Sequence, residues 1–325
     1  MGVRWWRILG YAGVAAVAGA AGGVGLLLGQ AAHARRTIPR AEAPPPRGDG
    51  CYGARFRGTP LTMVILGDSV AAGYGATKPR ETPGALLATG VSRRLRRPVR
   101  LHRLAVVGAT SARLAPQVEA ALELRPDLAV IIIGGNDVTH RKNQAAAVRH
   151  LVTAVRQLRA AGAQVVVGTC PDLGTVQPIR PPLRWLARRW SRQLAAAQTV
   201  AVVEEGAWTV SLADLLGPRF AAEPHRLFGH DRFHPSPEGY ATAAAALLPT
   251  VLAALGATRP TTPSAVRSLP QAAATAVQRG GTEVSGAAVA GRERGPTWRW
   301  AALRQRVRFR IRPPEQPDPV PLETR

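Results

Sequence analysis

The chain has 325 residues, 46% of them hydrophobic, and a formal net charge of +23. That length and apolar content exclude a chain without a core and leave room for one large domain with flanking segments. No Cys/His spacing resembles a zinc site, which removes the small metal-stapled classes.

The positive charge is spread along the chain. Residues 1–59 carry +6, residues 60–255 carry +10 and residues 256–325 carry +7, so the flanks are proportionally the more basic parts. Only Lys78 and Lys142 among the 43 basic residues are lysines. An arginine bias beside abundant Ala, Gly and Pro is the mark of GC-rich coding, which lowers its weight as a functional signal. A surface this basic is still drawn to anionic lipid, acidic polymer or nucleic acid.

In chain order, residues 1–36 combine a basic flank with a hydrophobic segment. Ile8 to Gly29 is a run of 22 residues without a charge. A bilayer span needs about 20 apolar residues, whereas the apolar region of a cleaved signal runs roughly 7–15. Ala32-His33-Ala34 nonetheless offers a cleavage site of the A-x-A kind. Either a single span or an exported, cleaved product follows, and the side of the membrane stays open. Arg4 and Arg7 precede the run, while Arg35, Arg36, Arg40 and Arg47 follow it. Membrane association is the expectation in both cases.

Residues 37–60 are rich in Pro and Gly and are expected to be a linker. Cys51 lies in this stretch and Cys170 at the end of a predicted strand, so two unpaired thiols are expected rather than one disulfide. From 61 to 255 short apolar runs alternate with helical periods. Strands are predicted at Leu61–Leu66, Val99–Val107, Leu128–Ile133, Val165–Gly168 and Val200–Val203. Helices are predicted from Pro83 to about Leu95, Ser111–Leu124, Gln144–Ala161, Leu183–Ala197 and Pro237–Leu255. Five alternations predict a doubly wound, three-layer α/β/α domain with a five-stranded parallel sheet, because parallel neighbours need crossovers. Residues 256–325 lose the pattern and are expected to form a disordered basic tail. Within it, 297–314 mixes Trp298, Trp300, Phe309 and Ile311 with arginines, a composition suited to an anionic membrane surface or nucleic acid, or to a plain solvated tail.

Reactive groups in an open α/β sheet gather at the carboxyl ends of the strands. Ser69 follows the first predicted strand, Gly108 the second and Gly134-Gly135-Asn136-Asp137 the third, while Asp231 and His234 precede the last helix. A serine hydroxyl needs a base to become a nucleophile. His234 can be that base, and Asp231 can hold its tautomer and orientation. The backbone N–H groups of Ser69 and Gly108 and the amide of Asn136 can receive the charge of a tetrahedral oxyanion. Asp68 and Asp137 read as structural partners, Asp68 in an Asx-type turn. The remaining histidines carry no pattern.

These blocks resemble the SGNH/GDSL hydrolase family. The matches are Gly67-Asp68-Ser69 with Gly73, then Gly108, then Gly134-x-Asn136-Asp137, then Asp231-x-x-His234-Pro235, in the family's order over about residues 61–255. The resemblance implies a flavodoxin-like hydrolase fold. It also implies a triad of Ser69, Asp231 and His234, and an oxyanion hole of Ser69, Gly108 and Asn136. It implies no metal or organic cofactor. Arg103 departs from the pattern, since many members have an asparagine near the start of the second block.

The expected function is a serine esterase that cleaves acyl groups from carbohydrate or lipid through an acyl-enzyme. An acyltransferase using the same triad, or a non-catalytic protein binding membrane or anionic polymer, stays open. Nucleic acid is not the expected partner, and the oligomeric state is left undetermined. Because the base must be neutral, activity should fall in acid as the imidazole protonates.

Overall fold

A computed structural model describes residues 21–38 and 44–257 of the protein. The first part of the expected membrane segment and nearly all of the expected basic tail, including 297–314, lie outside the described residues.

Five strands run parallel, as the alternation of apolar runs and helical periods requires. They are β2 (Leu61–Gly67), β3 (Val99–Arg103), β4 (Leu128–Ile132), β5 (Gln164–Gly168) and β6 (Trp208–Val210), ordered β3-β2-β4-β5-β6. Alternate side chains of β2 enter two different cores. Met63 and Ile65 pack with α3 (Pro83–Leu95) and α11 (Pro237–Ala254) on one face. Val64 and Leu66 pack with α4 (Leu114–Glu123) and α6 (Gln144–Ala160) on the other. Every residue of β4 is buried, as expected for a strand covered on both faces. Side-chain caps start the major helices, with Thr82 accepting from the N–H of Ala85, Asn143 from Ala146 and Ser236 from Gly239. The order reverses between β2 and β4, and the crevice of such a sheet opens at that switch point.

Two expectations need correction. Residues 44–60 are not a free linker, because β1 (Gly50–Tyr52) pairs antiparallel with β3 and makes the sheet six-stranded and mixed. Gly48 lies so close to Thr82 that a Cβ there would sit 2.5 Å from its Oγ1, so the small residues serve tight packing along an edge. Val200–Val203 is not a strand but the last turn of α7 (Leu183–Glu204). Leu194, Ala195, Gln198, Thr199 and Val202 bury at helical spacing there, and this stripe overrides the β-branched run. The final strand is β6, a few residues later.

A first helix, α1, is described over residues 21–37. Gln30 holds it to the body, donating to the Pro181 carbonyl at 2.6 Å and accepting from the Leu183 N–H at 3.1 Å, while Ala34 is buried in the core. No described helix is long and apolar enough to cross a membrane. Both cysteines are free, Cys51 exposed and Cys170 buried, as expected.

Candidate active site

The loop after β2 shows why its residues are what they are. Gly67 has φ +131°, and a Cβ there would lie 1.9 Å from the Ile132 carbonyl oxygen. Only glycine lets β2 pass this close to β4 in that conformation. Gln117 of α4, itself buried, grips both backbone groups of Gly67: its Oε1 accepts the N–H at 2.8 Å and its Nε2 donates to the carbonyl at 3.0 Å. Asp68 then caps a four-residue helix, α2 (Ser69–Ala72), by accepting from the Val70 N–H at 2.9 Å. Gly73, left-handed at φ +83°, ends it. Ser69 is therefore the first residue of a helix, and its N–H has no intrahelical partner.

Arg103, the departure from the expected pattern, closes the other end of that helix. Its Nη1 donates to the Ala72 carbonyl at 3.2 Å and to the Pro45 carbonyl at 3.1 Å. It thereby ties the segment before β1 to the element that carries Ser69.

The chain between α10 (Pro224–Leu227) and α11 brings His234 to the same place. The Gly229 N–H donates to the His234 carbonyl at 2.8 Å, which closes the loop. Asp231 uses one carboxylate oxygen to accept the N–H groups of Phe233 and His234, both at 2.9 Å. Its other oxygen lies 2.6 Å from His234 Nδ1, and His234 Nε2 lies 2.9 Å from Ser69 Oγ. A carboxylate only accepts, so the Nδ1 proton points to Asp231 and Nε2 is left to accept the serine hydroxyl. The imidazole sits between Tyr74, with ring centres 4.3 Å apart, and Phe233 at 4.8 Å. Tyr240, fully buried, donates its hydroxyl to the Tyr74 carbonyl at 2.7 Å and fixes that wall. Gly75 has φ +99°, and a Cβ there would come within 2.7 Å of the Pro235 carbonyl, so the serine and histidine loops touch where this glycine stands.

The remaining blocks converge as well. Gly108 is exposed with φ +79° and open space where a Cβ would stand, so its requirement is the backbone torsion. Asn136, in α5 (Gly135–Thr139), donates through Nδ2 to the Ala109 carbonyl at 3.1 Å and keeps a second amide hydrogen. Asp137 accepts the N–H and the hydroxyl of Ser111 at 3.1 and 2.8 Å. The third block thus holds the loop of the second. Val106 and Val107, each 46% exposed, border this loop.

Burial pushes the Asp68 carboxyl up to about 7, against the N–H groups of Val70, Gly134 and Ala71, and nearby Asp137 adds to the rise. Burial also raises Asp137 despite its bonds to Ser111. Burial works in the same direction on Asp231. There the His234 imidazole and the N–H groups of Phe233 and His234 win, holding this carboxyl below its ordinary range. Asp231 is the carboxylate built to stay ionised.

A hydroxyl bonded to an imidazole that a carboxylate orients can attack an electrophilic carbonyl. Ser69, His234 and Asp231 are in direct contact, Asp68 caps the helix that Ser69 opens, and Asn136 and Asp137 bond the loop that follows Gly108. Gln117, Tyr74 and Phe233 were not singled out. For Gln117 a signal existed: it is a polar residue on the buried stripe of α4, between Leu114 and Val118. Among the described residues no group of three or more His, Cys, Asp or Glu side chains is placed to hold a metal ion.

Residues 65–242 match the model of the GDSL-like lipase/acylhydrolase family. The chain is 44% identical over 249 residues to the GDSL-like esterase Rv1075c of Mycobacterium tuberculosis, covering 73% of this chain and 79% of the relative. Solved structures similar to this chain include two esterases. The esterase EstA of Pseudoalteromonas sp., inhibited by monoethylphosphonate, has a TM-score of 0.48 and 21% identity, over 60% of this chain and 98% of that one. Axe2, an acetylxylan esterase of Geobacillus stearothermophilus, has a TM-score of 0.47 and 18% identity, over 60% and 95%.

Replacing Gln117 by alanine strands the buried Gly67 N–H, a loss of about 1–3 kcal/mol in such settings, while the Gly67 carbonyl keeps the Val106 N–H. The expected result of Gln117→Ala is a lower urea midpoint and a fall in kcat that exceeds any change in KM; unchanged urea and kinetic curves would contradict the grip. The Asp68 carboxyl carbon should titrate near 7 by carbon NMR rather than near the ordinary carboxylate value. Its folded value lies above its unfolded one. The stability it contributes is therefore complete below about pH 4 and lost as pH rises through about 7.

Proposed function

The chain belongs to the GDSL-like lipase/acylhydrolase family and is an ester-hydrolysing enzyme; from that premise we propose that it is a serine esterase working through Ser69, His234 and Asp231. The observation that carries the reading is the continuous chain of contacts from Asp231 through His234 to Ser69 Oγ, at 2.6 and 2.9 Å. Ser69 Oγ attacks the ester carbonyl carbon as His234 Nε2 takes its proton. Negative charge moves to the carbonyl oxygen, where the N–H groups of Ser69 and Gly108 and the free amide hydrogen of Asn136 receive it. One such donor is typically worth about 2.7–4 kcal/mol of barrier. His234 returns the proton to the departing alkoxide, the alcohol leaves, and an acyl-enzyme remains. A water deprotonated by His234 then attacks the acyl carbon, and the acid leaves as Ser69 recovers its proton. Asp68 and Asp137 hold the loops rather than touch the substrate.

The proposed substrates are carboxylic esters with acyl groups carried on carbohydrate or lipid. Exposed Val106 and Val107 beside Gly108 offer an apolar rim to such an acyl group. The exposure of Gly75 and Gly108 leaves the acyl-enzyme open to water, which favours hydrolysis over transfer to an alcohol. Membrane association through residues 8–29 belongs to the same proposal, supported by their lack of charge.

The test compares the full chain with Ser69→Ala on short p-nitrophenyl esters. The expected loss in kcat is about 10⁴-fold or more, as when a triad member is removed elsewhere. A fluorophosphonate probe should label the parent at Ser69 and leave the variant unlabelled. Equal rates would discard the mechanism.

A further inference from the structure

The exposed large hydrophobic side chains among the described residues are Val24, Leu26, Leu28, Val106, Val107 and Trp185, the last 66% exposed. Their places in the fold are not scattered. In a parallel sheet every connection from a strand to the following helix lies at the carboxyl end. Val106 and Val107 follow β3 at that end. Trp185 stands at the start of α7, which the chain enters from the carboxyl end of β5. Gln30 bonds to Pro181 and Leu183 in that same connection. At a rise of about 1.5 Å per residue, Val24 is only about 9 Å along the helix from Gln30. Val106, Val107 and Trp185 therefore sit at the end of the molecule where Ser69 and His234 meet, and Gln30 ties α1, with Val24, Leu26 and Leu28, to the same connection.

Basic residues accompany this apolar set. Exposed Arg180, Arg188 and Arg189 surround Trp185 in sequence, and exposed Arg35 and Arg36 follow on α1. Exposed apolar side chains at one end of the sheet, with a tryptophan and neighbouring arginines of which Arg188 also pairs with Asp172, suit the headgroup layer of an anionic membrane. A second copy of the chain fits less well, because each copy carries a net charge of +23. In sequence, the 22 uncharged residues from Ile8 to Gly29 immediately precede Gln30, which bonds to this end. We propose that the carboxyl end of the sheet is a docking face for an anionic lipid bilayer, with Trp185 at headgroup level and the crevice opening onto the membrane surface. The face stands without the reading of the triad. Only its consequence, that the ester is presented at the lipid surface, rests on that reading.

The test uses the full chain carrying Cys51→Ser, with the buried Cys170 left in place. One variant adds Trp185→Cys bearing bimane, an apolar bicyclic label that stands in for the indole. The other adds Gln164→Cys with the same label, at the exposed start of β5 on the opposite end. Both are mixed with vesicles of phosphatidylcholine and phosphatidylglycerol with brominated acyl chains. Bromine quenches only at short range, so the label at 185 should lose most of its emission and the label at 164 should keep it. Equal quenching, quenching at 164 alone or none at either position would overturn the docking face. So would burial of the label at 185 by self-association without vesicles. Turnover of p-nitrophenyl acetate by both labelled proteins is followed in parallel. Activity without asymmetric quenching removes the docking face alone, and asymmetric quenching without activity removes the esterase reading alone.

Discussion

The imidazole of His234 has to meet Ser69 Oγ with one nitrogen while Asp231 holds the other, and this demand runs through the rest of the structure. The two side chains that touch at 2.9 Å are 165 residues apart in sequence. Nothing local can bring them together. A parallel sheet does so by ending its strands at one crevice, and the helix α11 that follows His234 packs against α3 on the same face of that sheet. The loop that carries the histidine is then trimmed by short-range contacts. Asp231 takes the N–H groups of Phe233 and His234, so the carboxylate that orients the ring also shapes the backbone bearing it.

Close approach is the second constraint, and it explains the glycines without appeal to flexibility. At Gly67 the backbone passes the Ile132 carbonyl at a distance no Cβ permits, and at Gly75 it does the same beside Pro235. Polar side chains then lock what the glycines allow. Gln117 gives the Gly67 N–H its acceptor and shares the Gly67 carbonyl with the Val106 N–H. Gln198 bridges the segments that follow β4 and β5, accepting from the Cys170 N–H and donating to the Ile133 carbonyl. Two buried glutamines therefore hold strand ends where the sheet's own ladder has run out. The electrostatics divide the carboxylates accordingly. Burial pushes Asp68 towards its neutral form, while the donors around Asp231 keep that group charged, where it can stabilise an imidazolium.

Much of this was legible in the sequence, for physical reasons. The run at 61–66 announced a strand and the fully apolar run at 128–133 a strand covered on both faces, and residue types that only make sense at strand ends followed each of them. The constellation of Ser69, Gly108, Asn136, Asp231 and His234 could be named because each chemical role restricts residue type. Edge pairing has no such code. Gly50–Tyr52 looks like linker because its order comes from β3 and from Arg103 gripping Pro45, contacts 47 or more residues away in sequence. The apolar Val200–Val203 misled because α7 buries one helical stripe through it, and the stripe is visible only over the whole helix. Tyr74 and Phe233 escaped notice since ring contacts with His234 leave no spacing signature.

Catalysis depends on one oxygen of the substrate meeting three donors while the attacked atom meets Ser69. A crystal structure of the protein after reaction with an alkyl phosphonate measures this directly. Phosphorus should be bonded to Ser69 Oγ, with one phosphoryl oxygen accepting from the N–H groups of Ser69 and Gly108 and from Asn136 Nδ2, and with His234 Nε2 facing the leaving-group side. Phosphorus attached elsewhere, or a phosphoryl oxygen turned to solvent with those donors unengaged, would contradict it.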